Sequence, residues 1–438
     1  MISQGHSFWG GLVYFIYYLY CNYIIITPSP IIMKHVFSTF LLCVCCVTVM
    51  AQQYAANVDS LIRTAVSESK IPGAVVCIVE NDHIAYMQAY GNRQVFPDTL
   101  PMTVLTQFDL ASLSKCVGTG MAMMTLIERG VVDLNDPITK YLPNYLPYEY
   151  ADGTLDREQK IVDFLTHTSG MPAYASYTEL LKDEPTASPA RRKELLLMHM
   201  GNVKRQAPAG TNFCYSCLNF ITLQYVIEKL TGLPLNEYVE KEVFRKLGMS
   251  NTCYYPIGSK PNKGMIVAPT EKISNAQGTI PSILLLNNDA KRWGNQNVCY
   301  EAIVHDPLAR EVCAGVSGNA SVFSTAEDLA KMAVWMFHPQ KKGPFSAATL
   351  QLMLTVPKGY EPFGRVLAWD QSSDYSGCKG HETSNSVACH TGYTGTSMVI
   401  DMEKMVAVIL LTNRAHPDDK GGVGALRKAV ADAVFSKF

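Results

Sequence analysis

Three stretches of the 438-residue chain carry residue types that together suit acyl transfer. Such chemistry needs an activated hydroxyl, a base and donors for the oxyanion. Ser112-x-x-Lys115 supplies the first two from one helix, because residues three apart share a helix face. A helix N-terminus and burial both disfavour an ammonium, so Lys115 is expected to be neutral and able to take up the serine proton. The spacing alone decides nothing, since Ser67-Glu-Ser-Lys70 and Ser376-Gly-Cys-Lys379 share it. Ser67 closes a helix and Ser376 lies in a polar loop; only Ser112 opens a long apolar segment, where a core can fix a nucleophile. The second stretch is Pro208-Ala-Gly210-Thr-Asn-Phe-Cys-Tyr215-Ser-Cys217, a turn that presents a tyrosine just ahead of a helix. The third is His390-Thr391-Gly392, leaving a strand. Glycine there lets a substrate backbone approach the strand edge, and the next N–H, that of Tyr393, can face the nucleophile.

The elements that position these residues follow from periodicity. Residues 58–70 and 112–129 read as helices, the second stopped by Gly130. Residues 74–79 and 84–90 form strand-like runs around Glu80-Asn81-Asp82, a hairpin. Helical patterns at 220–230 and 326–337 lie in a long middle region broken by Pro/Gly loops. Strand-like runs return at 365–369, 387–390, 397–401 and 406–412, before a last helix at 424–435. Strands at both ends and helices between them predict an α/β (α+β) fold: an antiparallel sheet built from both chain ends, flanked by helices, with an inserted mostly helical region. The hydrolase domain is expected over 52–438, with its sheet part at about 54–110 and 340–438 and its helical part at about 111–339.

Composition narrows the class. The chain is 48% hydrophobic and 17% charged with a net charge of −1, which is globular and gives no case for nucleic-acid binding or a polybasic membrane patch. Met33-Lys34-His35, the apolar run 36–50 and Ala51 read as a secretory signal over 33–51. Residues 1–32 are an N-terminal extension whose apolar stretch, 8–26, is long enough to span a bilayer. That segment is the one route to a membrane. Of 13 cysteines nine lie beyond residue 52, odd in number and scattered. Cys214 and Cys217 form a lone C-x-x-C without the partners of a zinc site, so no metal and no cofactor is expected.

The order Ser112-x-x-Lys115, Tyr215-x-Cys217, His390-Thr391-Gly392 resembles the beta-lactamase-related serine hydrolases. That group contains class C beta-lactamases, D-Ala-D-Ala carboxypeptidases, D-aminopeptidases and esterases. Phe108-Asp-Leu-Ala-Ser-Leu-Ser-Lys115, Gly130-Val-Val-Asp-Leu-Asn-Asp-Pro137, Leu165-Thr-His-Thr-Ser-Gly-Met-Pro172, Leu247-Gly-Met-Ser-Asn-Thr252 and Phe323-Ser-Thr-Ala-Glu-Asp-Leu329 extend the likeness along the chain. The resemblance implies that Ser112 is acylated, that Lys115 and Tyr215 share the acid and base work, and that His390 binds substrate or tunes Tyr215. It also implies an oxyanion hole from the N–H groups of Ser112 and Tyr393, with Thr391, Gly392 and Cys217 lining the substrate site. His167-Thr168-Ser169-Gly170 is expected to cap a turn without a catalytic role. Two departures matter: Cys217 stands where the family usually has asparagine, whose amide both donates and accepts, and His390 stands where beta-lactamases carry lysine. The expectation is therefore an exported, periplasmic or membrane-associated, monomeric serine hydrolase acting on a peptide amide or ester, with cell-wall-type peptides as substrates. A class C-like beta-lactamase and a penicillin-binding sensor that does not turn over are the alternatives.

Overall fold

The computed structural model describes residues 54–272 and 299–438. The expected signal segment and N-terminal extension lie outside the described residues. By internal contacts the chain divides into two units, Met1–Ala56 and Asn57–Phe438, and the elements named below all belong to the second. Among the described residues no helix is long and apolar enough to cross a membrane.

The first helix, α1, occupies residues 57–67 of this unit. The hairpin comes next as β1 (Gly73–Glu80) and β2 (His83–Gln94), turning at Asn81 in the left-handed conformation that asparagine tolerates. A short β3 (Leu100–Pro101) pairs with β2. At the other end of the chain, β7 (Val387–Thr391), β8 (Ser397–Asp401) and β9 (Val406–Thr412) form a meander. The two ends join through β1 and β9, giving one antiparallel sheet of order β3-β2-β1-β9-β8-β7. Val75, Cys77 and Val79 of β1 and Ala407, Ile409 and Leu411 of β9 enter the main core. The intervening Ala74, Val76 and Ile78 are buried as well, so both faces of the central strands are covered. That explains unbroken apolar runs in place of alternation.

A three-stranded sheet of order β4-β6-β5 sits within the middle region, built from β4 (Phe108–Asp109), β5 (Cys253–Tyr254) and β6 (Val322–Ser324). Its strands are two or three residues long and carry no periodicity to read. Residues 365–369, expected as a strand, are bends: Arg365 and Asp370 form an isolated bridge, and Ala368 has φ +68°. The segment wraps a buried Arg365–Asp370 ion pair, 2.7 Å long, and its apolar residues Val366, Leu367 and Trp369 fill the core without a ladder.

The segment expected as one helix from Ser112 is composite. A 3₁₀ turn, Ala111–Leu113, leads into the π-helical Lys115–Gly120 and then the α-helical Met121–Glu128, together α2. Two glycines let neighbours pack tightly on the widened turns: a methyl on Gly118 would lie 2.7 Å from Tyr254 Oη, and one on Gly120 2.6 Å from Ala368 Cβ. Cys217–Thr231 forms α3, closed by the left-handed Gly232. Ala326–Phe337 forms α4, capped by Thr325 and packed on β1 and β9. The last helix, α5, is Gly424–Phe435.

Candidate active site

The turn that carries Ser112 is clamped from both sides. Asp109, fully buried at the end of β4, accepts from Ala111 N–H at 2.8 Å through Oδ1 and from His305 N–H at 2.7 Å through Oδ2. Burial pushes its carboxyl up to about 6 against the pull of those two amides. Leu110 N–H donates to Val322 O, and Ser114 Oγ accepts from Val322 N–H, which stitches the turn to β6. Ala111 has φ +47°, a left-handed residue directly before the hydroxyl. Backbone held in this way persists only where the surroundings over-determine it. Asp109 lies inside the Phe108–Lys115 motif, yet its work depends on His305, 196 positions away, and nothing local signals it.

Lys115 is completely buried beneath Ser112. Its Nζ donates to Ser112 Oγ at 3.0 Å, to Cys217 Sγ at 3.5 Å and to Asn319 O at 2.8 Å. These contacts suit an ammonium, against the expectation of a neutral lysine. Burial works against the ammonium, but the neighbouring Cys217 and Tyr215 outweigh it and hold the pKa above the ordinary lysine value. In the resting site all three N–H bonds of an ammonium have acceptors. Local sequence does not signal Asn319 either, because its contribution is a main-chain carbonyl from a loop.

Tyr215 faces the same pair. Its hydroxyl is buried and lies against Ser112 and Lys115 without a hydrogen bond of normal geometry, and Lys115 Nζ sits 5.1 Å from its ring centre. Burial raises the phenol, and Lys115 opposes that shift. Cys217, two residues on at the start of α3, reaches the group through the Lys115 contact and lines the cleft. Burial raises its thiol too, and Lys115 opposes that shift.

The end of β7 closes the other side. His390 is buried with Nδ1 2.8 Å from Thr391 O, and its ring lies 5.9 Å from that of Tyr215. Burial, then Arg365 and Lys115, hold it well below the ordinary histidine value, so it is uncharged. Thr391 and Tyr393 line a recess of about 170 Å³ beside Ser112. Gly392 also meets a close approach within the fold: a methyl there would lie 2.2 Å from Leu110 O, in the turn that carries Ser112, and 2.2 Å from Thr396 Oγ1. Neither Ser112 N–H nor Tyr393 N–H donates to an acceptor among the described residues. Ser112, Tyr215 and Tyr393 also border a larger cleft of about 490 Å³.

The far wall of that cleft holds Glu271, His305 and Asp419, whose ligand-type atoms lie within 4.8 Å of one another. Such a trio suits a cation, but Asp419 already pairs with Arg414 at 2.8 Å and accepts from Tyr393 Oη at 2.8 Å. It reads as the charge network that orders the Tyr393 loop. The two decoy motifs are structural: Ser67 Oγ donates to Thr64 O with Lys70 paired to Glu68, and Ser376 Oγ donates to Ser373 O with Lys379 on Gln371 O. All nine cysteines among the described residues are free thiols.

A family model described as Beta-lactamase matches residues 58–433. The chain belongs to the beta-lactamase family of serine hydrolases. Its relatives in that family include an N-acetylmuramyl-L-alanine amidase of Bacillus subtilis, 27% identical over 377 residues, covering 82% of this chain and 81% of the relative. Another, from Escherichia coli O157:H7, is provisionally named a D-alanyl-D-alanine carboxypeptidase; it is 29% identical, with 79% of each chain covered. Among solved structures, EstCE1, a hydrolase with promiscuous acyltransferase activity, superposes with a TM-score of 0.66 at 23% identity, covering 88% of this chain and all of that one. An octameric penicillin-binding protein homologue from Pyrococcus abyssi gives 0.60 at 21% identity, over 85% and 76% of the two chains. These likenesses carry the fold: a beta-lactamase-type arrangement of helices and antiparallel sheet.

Proposed function

We propose that the protein is an exported hydrolase that cleaves a peptide amide or ester, of cell-wall type, through an acyl-Ser112 intermediate. The observation that carries this reading is Lys115 Nζ at 3.0 Å from Ser112 Oγ, with Tyr215 facing both at the floor of an open cleft. Ser112 Oγ attacks the scissile carbonyl while its proton passes to the Lys115–Tyr215 pair in the once-deprotonated form of that pair. The N–H groups of Ser112 and Tyr393 receive the oxyanion. The pair then returns the proton to the leaving amine or alcohol, and water releases the acyl group by the reverse sequence. His390, uncharged, borders the site beside Tyr215 and contacts the bound substrate. The names of the bacterial relatives, an amidase of muramyl-alanine and a D-alanyl-D-alanine carboxypeptidase, favour peptides of this type. Cys217 and His390 argue against an efficient beta-lactamase, because a thiol donates to and accepts from a substrate amide only poorly where asparagine does both well, and lactamases carry lysine at the histidine position. Residues 33–51 would direct export and 52–438 form the hydrolase domain.

Mass spectrometry of the mature protein after treatment with a fluorophosphonate, and separately with penicillin, tests the mechanism. A single adduct on Ser112, absent from Ser112→Ala, is expected. A label on another residue, or one that persists in Ser112→Ala, would overturn it. Turnover of nitrocefin at rates typical of good lactamases would replace the substrate class.

A further inference from the structure

Tyr215 stands between two rings. On its outer side Tyr375, 55% exposed, stacks at 5.0 Å and 16°. On its inner side the ring of His167, fully buried, lies 4.4 Å away and tilted by 31°. His167 belongs to the His-Thr-Ser-Gly segment that the sequence assigns to turn capping, and it does serve there: its carbonyl accepts from Cys214 N–H at 2.9 Å. Its side chain does something else. Nδ1 accepts from Ser216 N–H at 3.1 Å and from Asn219 Nδ2 at 3.2 Å, and Asn219 is itself oriented by Ser169 Oγ at 2.5 Å. With Nδ1 an acceptor, the ring proton sits on Nε2 and the imidazole is uncharged. Burial and the nearby Arg365 and Lys115 favour the same state. The histidine is held in the left-handed region, φ +60°, which a non-glycine residue adopts at an energetic cost.

We infer that His167 is a positioning residue for Tyr215: it grips the backbone N–H of the next residue through Nδ1 and bears on the phenol with its ring face, while Tyr375 closes the stack from outside. This rests on the proposed role of Tyr215. The phenol has no hydrogen bond of normal geometry to hold its hydroxyl toward Ser112 and Lys115. The two neighbouring rings and the Ser216 anchor fix the plane from which it faces that pair. The ring has to be uncharged, since an imidazolium would sit beside the Lys115 ammonium and repel it. A neutral aromatic plate with an edge acceptor meets both demands at once.

His167→Asn separates the two functions, because an asparagine amide oxygen can take over the Nδ1 acceptor while the ring is lost. The expected result is a folded protein whose kcat for aryl-ester hydrolysis falls about tenfold with KM little changed, the upper end of what one aromatic pair supplies. The rate of fluorophosphonate labelling of Ser112 should fall in parallel. Tyr375→Ala, at the surface, should lower kcat by a smaller factor and also spare KM. It keeps the inference testable if His167→Asn does not fold. Wild-type kcat in folded His167→Asn, or a Tyr375→Ala change confined to KM, overturns it. Tyr215→Phe is measured alongside. If that variant keeps its kcat, the proposed role of Tyr215 is at fault; if it loses kcat and His167→Asn does not, only the positioning inference fails.

Discussion

The contact between Gly392 and Leu110 O should set the width of the oxyanion hole, and Gly392→Ala tests it. A methyl at this position would lie 2.2 Å from Leu110 O and from Thr396 Oγ1. An unstrained C···O contact needs about 3.3 Å, so the end of β7 and the nucleophile turn must part by about 1 Å. Leu110 lies two residues before Ser112 and Gly392 one before Tyr393, so the separation falls between the two proposed oxyanion donors. Gly392 N–H is also tied to Thr396 O at 2.7 Å, and Arg427 holds Gly392 O, so the strand end cannot simply swing outward. Overpacking of this kind costs about 1–3 kcal/mol of stability. A misplacement of about 1 Å at a reacting centre lowers the rate about a hundredfold, or about 2.7 kcal/mol. The assay is kcat/KM for an aryl ester beside a thermal melt and circular dichroism at the assay temperature. The expected variant is folded, melts lower, and loses about a hundredfold in kcat/KM, mostly in kcat. A folded Gly392→Ala with turnover near that of the wild type would show that this approach does not place the oxyanion donors.

The protonation and polarity of the site give three further expected outcomes. Because Lys115 is held above the ordinary lysine value and the base is the once-deprotonated pair, kcat/KM should still be climbing as pH rises past neutrality; a flat profile across that range would contradict the assignment. Cys217→Asn should raise amide turnover relative to ester turnover by up to about tenfold, the worth of one hydrogen bond, measured on a matched D-alanine anilide and ester; an unchanged ratio would remove Cys217 from substrate selection. Asp109 is raised from 3.8 to about 6, so the folded state binds its proton more tightly than the unfolded one, and that contribution, about 3 kcal/mol at most, is present below 3.8 and lost as pH rises through 6. The melting temperature of wild type relative to Asp109→Asn should thus decline between those values, and a constant difference would argue that Asp109 does not titrate there.

What the sequence determined by itself was the family and the outline of the scaffold. Apolar runs at both ends announced the sheet, since strands buried on both faces must be apolar throughout. The order of Ser112, Tyr215 and His390 singled out, before any of them had a position, the residues that the structure brings to one cleft. The family match over 58–433 bears out the resemblance read from the motif order. Tertiary structure decided what depends on partners distant in sequence. Lys115 Nζ sits among acceptors that come from 204 and 102 positions away, Asn319 O and Cys217 Sγ, and burial with the helix terminus alone does not reveal them. Gly392 faces the Leu110 carbonyl, a main-chain atom that no side-chain pattern reveals. The two- and three-residue strands of the small sheet are too short to show a period, and Arg365 to Trp369 looked like a strand because core filling and strand pairing select the same apolar residues. His167 shows the limit most directly: its segment does form the turn that local reading assigns, and only the fold, by laying Tyr215 across its ring, gives it a second task.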